Sequence, residues 1–127
     1  MGTNYLIDTN VVIDYLANNF SHKQLLFLDS VIDNQPIISV INKIELLGFN
    51  TDKNILSNLV AVVSASWVYP LDEIVIHETI RIRKANKIKL PDAIIAATAI
   101  VTGAVLLTRN DSDFKNVKGL SVSNPHK

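Results

Sequence analysis

Residues 91–113 read PDAIIAATAIVTGAVLLTRNDSD, and how they fold decides the architecture of the whole chain. Pro91 suits the first turn of a helix, where its missing N–H would have no partner anyway. Gly103 suits the end of one, because it takes up the left-handed conformation without strain. The spacing predicts a helix over 91–102, a reversal at Gly103 and a strand over 104–107. A helix of that length rises about 18 Å. The extended chain from Ala104 to Thr108 covers about 17 Å. Because the lengths match, Asp92 comes back to the point where the strand ends. The segment Thr108-Arg109-Asn110-Asp111-Ser112-Asp113-Phe114 then carries more carboxylates to the same edge. The uncharged run Ala93–Leu107 is shorter than the roughly 20 residues of a membrane-spanning helix, and Gly103 splits it.

Upstream, short apolar runs alternate with helical periodicities. Tyr5-Leu6-Ile7 reads as a buried strand, and Val11–Ala17 as a helix. Ser21 caps a helix to Ile32 with Leu25, Leu28, Val31 and Ile32 on one face. Pro36–Ser39 is strand-like, and Ile41–Leu47 is a helix ended by Gly48. Asp52–Ala65 repeats Ile55, Leu59 and Val62 at helical spacing. Trp67–Leu71 is a strand, Asp72 caps a long helix to about Ile88, and Leu120–Val122 forms a last short strand. Alternating strands and helices predict an α/β fold in three layers, with a short, mostly parallel sheet of four to five strands between helices. Residues 1–127 read as one domain. Ligands of such sheets bind at the carboxyl ends of the strands.

Four acids point to that edge. Asp8 ends the first strand. Glu45 lies within two turns of the start of the helix after the second strand, and helical side chains lean back toward the N-terminus. Asp92 and Asp113 arrive by the length match. Each has an ordinary reading: Asp8 as a helix cap, Glu45 as an exposed helical residue, Asp92 as a favourable charge in a first turn, and Asp113 as loop decoration. Thr9 is expected to take over the capping and leave the Asp8 carboxylate free. Together the four would repel one another unless a cation sat between them. The donors are oxygen only: there is no cysteine, and His22, His77 and His126 lack metal-binding spacing. That favours Mg²⁺ or Mn²⁺ over zinc, and phosphate chemistry with them.

The formal net charge is zero, from 12 basic and 12 acidic residues, which is unpromising for a nucleic-acid binder. With four acids withdrawn around metal ions, the remainder carries +4. The run Arg81–Lys89 holds five bases and no acid. If the helix reaches Ile88, Arg83 and Lys87 share a face, as do Arg81 and Lys84. Such a run either tracks phosphates or is a solvated face. Arg109, nearer the acids, is the sharper candidate for a phosphate contact. Asp14, four residues after Asn10 on the same helix, is within reach of the site rim but reads as a surface residue, and Trp67 reads as core or core edge. The absence of cysteine suits a reducing compartment. Asp8 and Asp14 interrupt any apolar segment of a secretory signal, so a soluble, cytoplasmic protein is expected.

Four ordered blocks carry a family resemblance: YLIDTNVVIDYL, IISVINKIELLGF, KLPDAIIAATA and LLTRNDSDF. They resemble the PIN-domain ribonucleases, most closely the VapC-type toxins of prokaryotic toxin–antitoxin pairs. The resemblance implies a PIN-like fold, a Mg²⁺ or Mn²⁺ site made by Asp8, Glu45, Asp92 and Asp113, and supporting roles for Asn10, Thr108 and Asn110. It also implies RNA phosphodiester hydrolysis, a homodimer, and a cognate antitoxin that masks the site. Two positions depart from the family pattern. Asn42 stands where Ser or Thr is frequent, and Asp111 competes with Asp113 for the fourth acid. The rivals are an inert PIN-like RNA-binding module, a phosphatase of the haloacid-dehalogenase type, a receiver-like domain and a DNA-directed nuclease of related fold. An inert copy would have lost acids, the phosphatase needs an Asp-x-Asp pair where this chain has Asp8-Thr9-Asn10, a receiver wants paired early acids with a later lysine, and the DNA nucleases carry arch-like insertions.

Overall fold

The computed structural model describes residues 2–127. In chain order its elements are β1 (Tyr5–Ile7), α1 (Thr9–Leu16), α2 (His22–Asp33), β2 (Ile37–Ser39), α3 (Val40–Leu47), α4 (Lys53–Ala65), β3 (Trp67–Tyr69), α5 (Glu73–Ala85), α6 (Leu90–Thr102), β4 (Val105–Leu107), α7 (Asp111–Phe114) and β5 (Ser121–Ser123). The strands form one sheet in the order β3-β2-β1-β4-β5, and every neighbouring pair is parallel.

The apolar strand runs are explained by burial on both faces. Side chains alternate across a strand, so Leu6, Ile37 and Leu106 join one core while Ile7, Ile38 and Leu107 join the other. The first core is closed by α5, α6 and the Phe114–Val117 segment. The second is closed by α1, α2, α3 and α4. The register pairs Ile7 with Leu107, so Asp8 and Thr108 leave the sheet side by side. The Asp8 N–H donates to the Leu107 carbonyl at 2.9 Å, which fixes that exit.

Helix α6 ends as the sequence predicts. Gly103 is left-handed (φ 69°), and its N–H closes onto the carbonyls of Ala99 and Ile100. Gly48 ends α3 for a different reason. Its φ is −88°, but a Cβ there would meet the Ile44 carbonyl oxygen at 2.8 Å, so close approach demands the glycine. Helix α5 stops at Ala85, short of the expected Ile88. Asn86 is extended, and both its backbone N–H and its side-chain amide donate to the Ile82 carbonyl, which terminates the helix. Lys87 is therefore off the helix and shares no helical face with Arg83. Trp67 sits on the edge strand with half its surface exposed rather than in the core. Among the described residues no helix is long and apolar enough to cross a membrane.

Candidate functional site

Asp8 is 6% exposed and its carboxylate is held from four sides. Oδ1 accepts from the Thr9 N–H at 2.8 Å and the Asn42 amide at 3.3 Å; Oδ2 accepts from the Thr108 hydroxyl at 2.8 Å and the Asn10 amide at 3.4 Å. Burial pushes its pKa above the ordinary aspartate value, while the bonds from Thr108, Thr9, Asn42 and Asn10 pull the other way. Capping falls to Asp8 itself, contrary to expectation, because the register places Thr9 inside the first turn of α1. The Thr9 hydroxyl instead donates to Glu45 Oε1 at 2.7 Å and accepts from Asn42 at 3.1 Å. Asn42 is fully buried, and its Oδ1 accepts from the Ser39 N–H, closing the capping box of α3. One amide thus locks the helix that bears Glu45 to the strand end that bears Asp8.

Asp92 stands in the first turn of α6. Its pKa is raised by burial first, then by the negative charges of Asp8, Asp113 and Glu45, with Lys89 opposing. The length match therefore brings the four acids into one field. Asp111 and Asp113 are separated by their partners. Asp111 accepts from Asn124 at 3.1 Å and Lys127 at 3.2 Å, which hold its pKa below the ordinary value, whereas Asp113 acts on Asp92. The supporting residues fix the turn after β4. The Asn110 N–H donates to Thr108 Oγ1 at 3.1 Å, and the Arg109 N–H donates to Asn10 Oδ1 at 3.0 Å.

A cleft of about 430 Å³ opens at this edge, with Asp8, Glu45 and Asp92 in its walls, Ile13 and Phe49 as apolar lining, and Arg109 also lining it. Asp14, expected at the surface, is 6% exposed and also lines the cleft. Its carboxylate accepts from Arg109 Nη1 at 3.0 and 3.1 Å and lies 3.0 Å from Nε2 of His126. Folding the C-terminal segment back onto Phe20 creates that burial: the His126 ring stacks on Phe20 at 4.1 Å. Arg109 keeps about half of its side chain exposed. Arg81, Arg83 and Lys84 do not line the cleft. Arg81 bonds Glu78 and the Lys118 carbonyl, Arg83 bonds the Ile88 carbonyl, and Lys84 has no partner among the described residues.

Among the described residues no three acid or histidine side chains close into a preformed cage. The acids repel Asp92 across the cleft without clustering tightly. An all-oxygen donor set around the half-buried Asp92 carboxylate is consistent with a hard divalent ion.

Sequence reasoning did not single out Thr9 as the tether of Glu45, Asn42 as the hub, or Lys89 as the charge opposing the acids at Asp92. The signal for Asn42 was a polar residue in an apolar helical run, three positions after the capping serine.

Residues 5–120 match the PIN domain family. No curated protein sequence matches the chain. Among solved structures, a toxin–antitoxin complex from Klebsiella pneumoniae is 26% identical with a TM-score of 0.76, covering 98% of this chain and 99% of that one. FitAcB from Neisseria gonorrhoeae is 25% identical, TM-score 0.76, over 95% and 97% of the two chains. VapBC2 from Rickettsia felis, bound to a DNA fragment from its promoter, shares the fold at 21% identity and TM-score 0.79, over 96% and 98%. The chain belongs to the PIN-domain family.

Proposed function

We propose that this chain is a metal-dependent endoribonuclease that hydrolyses RNA phosphodiester bonds, and the toxin of a toxin–antitoxin pair. The observation that carries the reading is the convergence of Asp8, Glu45 and Asp92, from three separate elements, in the walls of one cleft at the carboxyl edge of the sheet. A fold gains nothing from that arrangement unless a cation offsets it. Asp8 and Asp92 would hold Mg²⁺ or Mn²⁺, with Glu45 and Asp113 completing the shell directly or through water. When bound, the ion lowers the pKa of water and offsets charge developing on the phosphate.

The chain's own residues do the positioning. Thr108 and Asn10 aim the Asp8 carboxylate, Thr9 and Asn42 fix Glu45 relative to it, and Asn110 braces Thr108. Arg109, at the cleft and half exposed, is the phosphate contact. Water attacks phosphorus in line with the leaving oxygen, and no side chain becomes a covalent nucleophile.

A masking antitoxin and a homodimer belong to the same reading. Helices α3 and α4 pack together and expose Ile44, Leu47, Ile55, Leu56 and Val60, with Phe49 running from that face into the cleft. Large apolar side chains left exposed on two packed helices call for protein cover. The Klebsiella pneumoniae structure that this chain resembles is a toxin–antitoxin complex.

Purified protein is expected to cut mixed RNAs with Mg²⁺ or Mn²⁺, to stop with chelator, and to lose cleavage in Asp8→Asn with the fold intact. Full activity in that variant would sink the assignment.

A further inference from the structure

The zero net charge conceals a division along the chain. Residues 1–78 hold nine of the twelve acids and three of the twelve Lys and Arg, a formal −6; residues 79–127 hold the other three acids and nine bases, a formal +6. The division is spatial as well. The basic part supplies the second half of α5 (79–85), α6 and α7 on one face of the sheet, and the acidic part supplies α1 to α4 on the other; the acidic part also supplies the first half of α5, which carries Glu73 and Glu78.

Within the basic layer, five lysines are exposed and have no hydrogen-bond or ion-pair partner among the described residues: Lys84, Lys87, Lys89, Lys115 and Lys118. Four of them, Lys84, Lys87, Lys89 and Lys115, lie toward the end that holds the acids, whereas Lys118 comes three residues before Ser121, near the amino edge where β5 begins. Lys89 immediately precedes α6 and acts on Asp92. Only the four residues 86–89 separate α5 from α6, a span of at most about 14 Å, so Lys84 and Lys87 lie near the same edge. Lys115 follows α7, the helix of Asp113. The Arg81 guanidinium donates to the Lys118 carbonyl at 3.0 Å and docks that segment beside α5. Arg81 and Arg83 are used up in bracing these two segments, so the lysines are the groups free to meet a ligand.

We propose that Lys84, Lys87, Lys89 and Lys115 form a track for an RNA phosphate backbone, by which the strand reaches the acid cleft across the α5–α6–α7 layer and not across the α1–α4 layer. The track rests on the ribonuclease reading for its ligand and extends it by naming the side of approach. Lysine provides point charges without base readout, so the track contributes affinity and salt dependence but no sequence preference. Its proximity to Asp92 and Asp113 matters for a second reason. A polyanion approaching four carboxylates is repelled, and cations on one flank give it a single favourable route.

The test is fluorescence anisotropy with a labelled single-stranded RNA in chelator, where no cleavage occurs, over a series of salt concentrations. Lys84→Gln/Lys87→Gln is compared with Lys23→Gln/Lys53→Gln, which removes the same charge from α2 and α4. The first pair is expected to reduce the slope of log affinity against log salt by about 1.4, from about 0.7 per single-strand phosphate contact. The second pair is expected to leave it unchanged. Equal slopes in both pairs overturn the track, even if the wild type cuts RNA. A slope lost only in the first pair, with no cleavage by wild type when Mn²⁺ is restored, keeps the track and overturns the ribonuclease reading instead.

Discussion

Replacing Thr108 by valine keeps the shape of a fully buried side chain and removes one hydroxyl. That hydroxyl donates to Asp8 Oδ2 at 2.8 Å and accepts from the Asn110 N–H at 3.1 Å. A hydrogen bond to a charged group contributes about 1.5–3 kcal/mol, more than a neutral one. The Asn110 N–H lies at the exposed turn, where water can replace its partner, so the Asp8 bond dominates. The expected loss is about 2 kcal/mol at neutral pH, on the order of 8 °C in a domain of this size. Its pH dependence follows from Asp8. The folded pKa is already raised above the ordinary value, so the ionised group costs stability as pH rises from the unfolded value through the folded one. Removing Thr108 takes away the strongest opposing hydrogen bond and raises the folded pKa further. The deficit should therefore be largest near neutrality and shrink toward about pH 4, where Asp8 is increasingly protonated in both proteins. Urea unfolding in chelator at both pH values measures it. Thr98→Val is the control: Thr98 is equally buried, but its hydroxyl only doubles up on the helical Ile94 carbonyl. A Thr108→Val loss no larger than the control's, or one that does not change with pH, would refute the reasoning.

Two further outcomes follow from the same structure. Asp92→Asn removes a carboxylate whose folded pKa is raised by burial and by three like charges, so without metal it should melt higher than wild type at neutral pH. The gain should fade below the unfolded aspartate value, and Mn²⁺ should raise the melting temperature of wild type more than that of the variant; calorimetry with and without the ion reads both. Gly103→Ala places a Cβ in open space but at φ 69°, so only backbone strain opposes it, and denaturant titration should show a loss of about 1–2 kcal/mol.

The sheet and its edge could be read from sequence because they rest on lengths and periodicities. The match between α6 and β4, and the apolar triplets of β1, β2 and β4, sufficed to bring Asp8, Asp92 and the Thr108 turn together. The side-chain wiring was not legible. Asn42 looked like a departure from a family pattern, yet its amide carries bonds that join Asp8, Thr9 and Ser39. Asp14 looked like a surface acid because nothing local reveals that the C-terminal segment folds over it; only the stacking of His126 on Phe20 does so. The end of α5 was overrun because Lys and Arg are good helix formers, while the competing signal, the Asn86 side chain turning back onto Ile82, is a tertiary-free but single-residue event. Trp67 was misjudged because strand propensity says nothing about whether a strand lies at the sheet edge.

The central claim is that four particular carboxylates form a cation-dependent RNA-cleaving site. The most direct measurement compares RNA cleavage with Mn²⁺ by Asp8→Asn, Glu45→Gln, Asp92→Asn and Asp113→Asn against Asp111→Asn, whose native carboxylate is turned toward Asn124 and Lys127. The first four should lose Mn²⁺-dependent cleavage while remaining folded, and Asp111→Asn should retain it. Cleavage that survives chelator, or that needs Asp111 and not Asp113, would contradict the account.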